Sequence, residues 1–164
     1  LYPCENCCYY DSINYDMNGD GPIDVLDIVI VVNNIINDII PDENESVIAD
    51  GIFDILDATI LVSMILGSRQ DTATIVHFYV EQDATSITSD GWIGGIQMTL
   101  THGADFTINL TNNAMVAEYV TNGTVTKLVV IVPESDELFQ ATGDFEIIDI
   151  KVGGDMYYIN SYIN

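Results

Sequence analysis

Basic residues are almost missing from this chain. Its 164 residues hold three Lys plus Arg (Arg69, Lys127 and Lys151) against 26 Asp plus Glu, a formal net charge of −23. A surface of that sign repels nucleic-acid phosphates and anionic membranes, which excludes both as partners, and it attracts divalent cations. Also missing is any apolar run near the roughly 18–20 residues that cross a bilayer. No charged-then-apolar leader opens the sequence, which therefore reads as a mature or trimmed form. What is abundant is apolar side chain, 48% of the residues. That is enough to bury a core in one domain or two small ones.

Cysteine is confined to "PCENCC", as Cys4, Cys7 and Cys8. Zinc would need a fourth ligand, and His77 and His102 lie far away without ligand spacing. A redox CxxC belongs beside a βαβ pattern, and none is evident. A local or intermolecular disulfide in an oxidising compartment is favoured over inert thiols. The odd count leaves at least one sulfur free or paired with another chain.

The chain divides near "GSRQDTAT", residues 67–74. Before it lie 13 acidic residues and no Lys or Arg. After it, Thr, Tyr, Val and Ile dominate, often alternating with polar residues. The first half reads as helices with acidic loops, the second as β-strands. The first half also repeats itself: "DGPIDVLDIVIVV" at Asp20 returns as "DGIFDILDATILV" at Asp50. A repeat of this length marks a duplicated supersecondary unit.

The acidic loop of the unit has cation-ligand spacing. With Asp16 as position 1, Asn18 and Asp20 fall at 3 and 5. Gly21 falls at 6, where a sharp turn is needed. Pro22 at 7 can offer its carbonyl, and Asp24 and Asp27 hold 9 and 12. This is the EF-hand pattern, in which one short segment gives a hard cation its oxygens. Mutual repulsion of the carboxylates is offset when calcium sits among them. Position 12 is Asp rather than Glu, and no helix precedes the loop. Followed directly by an apolar helix, and duplicated, residues 14–67 resemble the type I dockerin family. The resemblance implies calcium and a protein partner. The plain alternative is a solvated acidic turn with Asp24 as helix N-cap.

The second loop is poorer. Asp50, Gly51, Ile52, Asp54 and Asp57 take positions 5, 6, 7, 9 and 12. Counting back puts Ser46 at 1 and Ile48 at 3, and Ile48 has no side-chain oxygen. Ser46, Asn44 or Glu45 reaches in by another path, or the site is weak or empty. The segments "VLDIVIVVNNII" and "ILDATILVSMIL" are apolar over more than one face. Two short helices can cover only one face of each other, so the surplus must lie against the second half or a partner.

In the second half, 74–81, 91–102, 105–111, 115–121, 124–132, 145–152 and 155–163 read as strands, and "TNGT" (121–124) as a hairpin turn. Seven or more such strands suggest an antiparallel sandwich or jelly roll. "GGIQMTLTHGADFTINLT", "TKLVVIV" and "FEIIDIKV" resemble, in pattern and order across 74–164, the cohesin and carbohydrate-binding sandwich group. Cohesins are the partners of dockerins.

Catalysis finds little support. Glu81, Asp83, Asp90, Glu118 and Asp149 are scattered over presumed outward faces and turns, unlike a glycosidase pair. His77 and His102 lie near no nucleophile signature. Trp92 and the tyrosines Tyr157, Tyr158 and Tyr162 read first as strand residues, and as a sugar-stacking platform only in the alternative. Sequons at Asn44, Asn109 and Asn122 are candidate glycosylation sites.

The expectation is an α+β chain in two parts: an EF-hand-like loop–helix duplicate followed by an antiparallel, jelly-roll or cohesin-like sandwich. Its segments are 1–13 (Cys-rich), 14–68 (calcium-binding), 69–73 (linker) and 74–164 (sandwich). The expected function is a secreted or cell-surface, non-enzymatic module of calcium-dependent protein–protein association, its partner another copy or a separate secreted protein. If helices and sandwich meet between chains, the contact runs head to tail into a ring or filament. If they meet within one chain, the apolar surplus is simply buried. The alternative function is a carbohydrate-binding accessory module.

Overall fold

A computed structural model describes residues 15–42 and 46–164. The cysteines, Asn44 and Glu45 lie outside the described residues. Each acidic loop runs into a helix: α1 (Val25–Ile36) and α2 (Ile55–Leu66). Both helices start on an aspartate N-cap with a complete capping box. Asp24 and Asp54 accept from the N–H of Leu26 and Leu56, while Asp27 and Asp57 reach back to the N–H of the cap residue. The β-branched run after Asp27 would suit a strand by propensity, and the cap decides for helix.

Nine strands follow: β1 (Ile75–Val80), β2 (Ala84–Ser89), β3 (Gly95–His102), β4 (Thr107–Leu110), β5 (Ala114–Asn122), β6 (Val125–Pro133), β7 (Glu137–Thr142), β8 (Phe145–Gly153) and β9 (Asn160–Ile163). They form two sheets, β4-β7-β2-β1-β9 and β5-β6-β3-β8. Phe78, Met98, Leu100, Leu128, Leu138 and Phe139 fill the space between them and are fully buried. The sandwich is antiparallel except at one edge, where β1 pairs parallel with β9. Gly123, with φ at 61°, turns the β5–β6 hairpin at the expected place.

Two strands escaped the sequence pattern, and 91–102 and 155–163 were read too long, the former because β3 starts only at Gly95. In β2, "ATSITS", only Thr85 and Ile87 point inward, so hydroxyl residues mask the alternation. In β7, "ELFQAT", Leu138 and Phe139 are adjacent and both buried. Residues 155–158 are not strand: Gly154 donates to the Tyr157 carbonyl and closes a turn, so only 160–163 pair with β1.

The helices lie on the outer face of the four-stranded sheet. Ile28, Val31, Val32, Ile35, Ile55, Ala58, Leu61 and Val62 share one buried cluster with Val116 of β5 and Val129 and Ile131 of β6. Most of the apolar surplus of the helices is therefore covered within the same chain, while Val25, Leu26, Met64 and Leu66 stay exposed. β6 explains itself on this basis. Leu128 and Val130 face the sandwich interior, Val129 and Ile131 face the helices, and a strand buried on both faces reads as an unbroken apolar run.

Candidate functional site

In the first loop the carboxylates organise the backbone. Asp16 Oδ1 accepts the N–H of Gly19 (2.8 Å) and Asp20 (3.2 Å), and its Oδ2 accepts that of Gly21 (2.8 Å). Gly21 carries φ of 102°, a conformation that side chains resist, at the position where the loop must turn. Asn18 and Asp20 are linked side chain to side chain at 3.0 Å. Asp27, fully buried, closes the loop onto its helix: Oδ1 accepts from Met17 (2.7 Å) and Oδ2 from Asp24 (2.8 Å). Asp20 and Pro22 are exposed, and Asp24 is half-buried.

The second loop keeps half of this arrangement. Asp57 is fully buried and repeats the clamp, accepting from Ile48 (3.1 Å) and Asp54 (2.9 Å). Burial pushes its carboxyl up to about 6, against the pull of those two N–H donors. At position 1, Ser46 is buried, and its backbone carbonyl, not a side-chain carboxylate, receives the N–H of Ala49. Asp50 accepts from Ile52 (3.1 Å), and Ile52 is exposed. Asp54 differs most from its counterpart Asp24. Its Oδ2 receives Lys151 Nζ of β8 at 2.9 Å and the hydroxyl of Tyr158. Desolvation, then the Asp54 bond, pushes the Tyr158 hydroxyl above the usual phenol range.

Among the described residues no three Asp, Glu, His or Cys side chains converge into a ready-made metal cage. The fit to calcium therefore rests on donor chemistry. Asp16, Asn18, Asp20, Asp24 and Asp27 each carry a side-chain oxygen, the donor a hard cation takes. Ser46 and Ile48 break the same set in the second loop.

The seat of α2 on the sandwich is cut from glycine. A Cβ on Gly95 would come within 2.7 Å of Ile55 Cδ1. One on Gly94 or Gly153 would come within 2.9 Å or 2.8 Å of Thr59 Cγ2. Gln97 Oε1 caps the free N–H of Ile55 at 3.1 Å. The Ser63 hydroxyl donates to the Thr59 carbonyl and contacts Asp155. Lys127 of β6 pairs with Asp38 just beyond α1. Both lysines of the chain thus lie on the helix-bearing face and both reach into the acidic half. Sequence reasoning missed Lys127, Lys151, Tyr158, Gln97 and the three glycines. The available signal was rarity: two lysines at like-facing positions of strands, in a chain with almost no cations.

The remaining sequence candidates do not gather. Glu81, Asp83, Asp90, Glu118 and Asp149 are all exposed. The Thr74 hydroxyl and two backbone N–H groups hold the Asp90 carboxyl below the usual range. Glu81 and Asp83 join Glu137 and Asn109 along an open groove of about 520 Å³. His77 stacks on Tyr162 and His102 on Phe106, 4.0 Å between ring centres. Trp92 is half-buried, with the Arg69 guanidinium 5.1 Å above its ring. Tyr157, Tyr158 and Tyr162 are exposed, as are Asn109 and Asn122.

These features define a β-sandwich that carries a duplicated, Asp-capped loop–helix unit on one sheet. No family model and no curated protein matches the chain. Among solved structures it is similar to a non-cellulosomal cohesin from the hyperthermophilic archaeon Archaeoglobus fulgidus. The TM-score is 0.39 at 11% identity, over 57% of this chain and 86% of that one. So loose an overlap says nothing about partners. The dockerin-like reading of 14–67 rests on the repeat and the ligand spacing alone.

Proposed function

We propose that this chain is a secreted, calcium-stabilised, non-enzymatic module of protein–protein association, with calcium held by the first loop. One observation carries the metal. All three basic side chains of the protein are engaged elsewhere: Arg69 with Asp71, Lys127 with Asp38 and Lys151 with Asp54. No Lys or Arg is left to neutralise Asp16, Asp20, Asp24 and Asp27. A hard divalent cation among their oxygens supplies that charge. Asp16, Asn18, Asp20, Asp24 and Asp27 with the Pro22 carbonyl would hold it.

The helix-to-sandwich contact is already made within the chain, which favours the closed arrangement over a head-to-tail filament built on that contact. Association then falls to other surfaces, such as the exposed Ile39, Ile40 and Ile52 beside the second loop. The test is calorimetry and thermal melting of the full chain with calcium and with chelator. Heat of binding and a higher melting temperature in calcium are expected. Identical melts with no heat would sink the calcium reading. Light scattering at high concentration, against added secretome fractions, tests association. A pull-down on insoluble polysaccharide that retains the protein through its tyrosines would favour the carbohydrate-binding reading instead.

A further inference from the structure

We infer that the second loop holds no calcium and that the Lys151 ammonium, delivered by β8, is its resident cation. The two loops share the clamp at position 12 but not the rest. At position 9 of the second loop the Asp54 carboxylate is only 2% exposed, so water cannot balance its charge. Lys151 Nζ stands 2.9 Å from Oδ2, and the Tyr158 hydroxyl donates to the same oxygen. The other oxygen, Oδ1, is taken by the Leu56 N–H at 2.9 Å. A divalent ion placed on Asp54 would face an ammonium at contact distance, a repulsion that low local dielectric magnifies. Positions 1 and 3 cannot compensate. Ser46 has no carboxylate and Ile48 has no side-chain oxygen.

The first loop shows the opposite pattern. Asp24, its position 9, accepts from backbone N–H groups of its own helix's first turn, and among the described residues no lysine or arginine reaches it. The duplicate has thus split the same charge problem in two ways: an exchangeable ion in one unit, a tethered cation in the other. Because Lys151 belongs to the sandwich, its pairing also fastens α2 to β8. Next to it on that strand, Gly153 makes room for Thr59. The inference builds on the first-loop reading and can fail separately from it.

The experiment has two arms on the full chain. In the first, calorimetry after chelator dialysis is expected to give one calcium per chain. Asp16→Ala with Asp20→Ala should abolish it, and Asp50→Ala should leave it unchanged. An ion retained by the first-loop variant and lost with Asp50→Ala would overturn the inference. Wild type that takes up no calcium would overturn the first-loop reading and leave the second arm to decide. That arm is a double-mutant cycle in calcium-free buffer with Lys151→Met and Asp54→Asn, where Asn keeps the helix cap. Lys151→Met alone should lower the melting temperature by about 4–8 °C. In the Asp54→Asn background it should lower it by no more than about 2 °C. Equal losses in both backgrounds would show that Lys151 does not serve Asp54, and the inference falls.

Discussion

The two loop–helix units begin alike and end apart. Each helix starts on an aspartate cap, and each buried position-12 aspartate ties the loop entry to that cap. Beyond this, the first loop is open, acidic and free of lysine, while the second is buried at Ser46 and Asp54, loses two ligand positions and receives Lys151. Their seats differ as well. Val116, Val129 and Ile131 pack in one cluster with the helices, whereas Ile55 and Thr59 of α2 meet glycine backbone. The difference shows how a repeat diverges once one copy is pressed against another part of the chain. In the second copy the sandwich supplies a fixed cation, and Ser46 and Ile48 stand where the first loop has Asp16 and Asn18.

The sharpest way to break the comparison is through the seat. Gly94→Val places a side chain where Gly154 O and Thr59 Cγ2 would stand 2.6 Å and 2.9 Å from its Cβ. Backbone cannot yield as a side-chain tip does, so a loss of about 3 kcal/mol or more is expected by denaturant titration. A Val129→Ala variant beneath the helices should lose less, about 1–2 kcal/mol, through its cavity alone.

Calcium should separate the loops next. At a hundredfold excess over its dissociation constant, calcium adds about 2.7 kcal/mol, or roughly 5–10 °C in melting temperature. Asp16→Ala should erase that shift and Asp50→Ala should keep it. Because α1 is packed on the sandwich, chelation should loosen the loop without releasing the helix. Retained helical circular dichroism in chelator checks this.

A smaller effect is pH. Asp57 is raised in the fold to about 6 from its ordinary 3.8. Below about pH 4 it is protonated in both states, and above about 6 it is ionised in both. Between these values the folded state binds more protons, so its contribution to stability falls as pH rises. In calcium-free buffer wild type should lose about 2 kcal/mol relative to Asp57→Asn between pH 4 and 6. Parallel stability curves for the two proteins would contradict this. The smallest effect is at the first helix cap. Asp24→Ala should cost about 1 kcal/mol. Asp54→Ala should cost distinctly more, because Lys151 and Tyr158 lose their partner.

What was legible in the sequence was local. Asp24 and Asp27 announced a helix start, "TNGT" a hairpin, and the repeat a duplicate, because each signal acts within a few residues. The alternation of apolar and polar residues in "DFTINLT", which contains β4, was visible for the same reason. β2 was hidden because Ser and Thr fill positions whose burial depends on a neighbouring strand. The partnership of Lys151 with Asp54 spans 97 residues, and no spacing rule reaches that far. The same holds for the glycines at 94, 95 and 153, whose meaning lies in what lands on them. Even so, "LVVIV" in β6 carried a hint of cover on both faces that alternation alone would not give.

The docked arrangement has a consequence for how the chain is made. The helices leave the ribosome first, and the strands that cover them follow, β3 soonest and β8 among the last. Gly153 follows Leu66 by roughly 90 residues, which at typical synthesis rates is about 5–20 seconds. Early in that interval two strongly apolar helices have only each other. The order available to them then is local, above all the capping boxes. The loop–helix unit emerges before its sandwich, so its capped, paired helices can act as a placeholder until β8 arrives with Lys151.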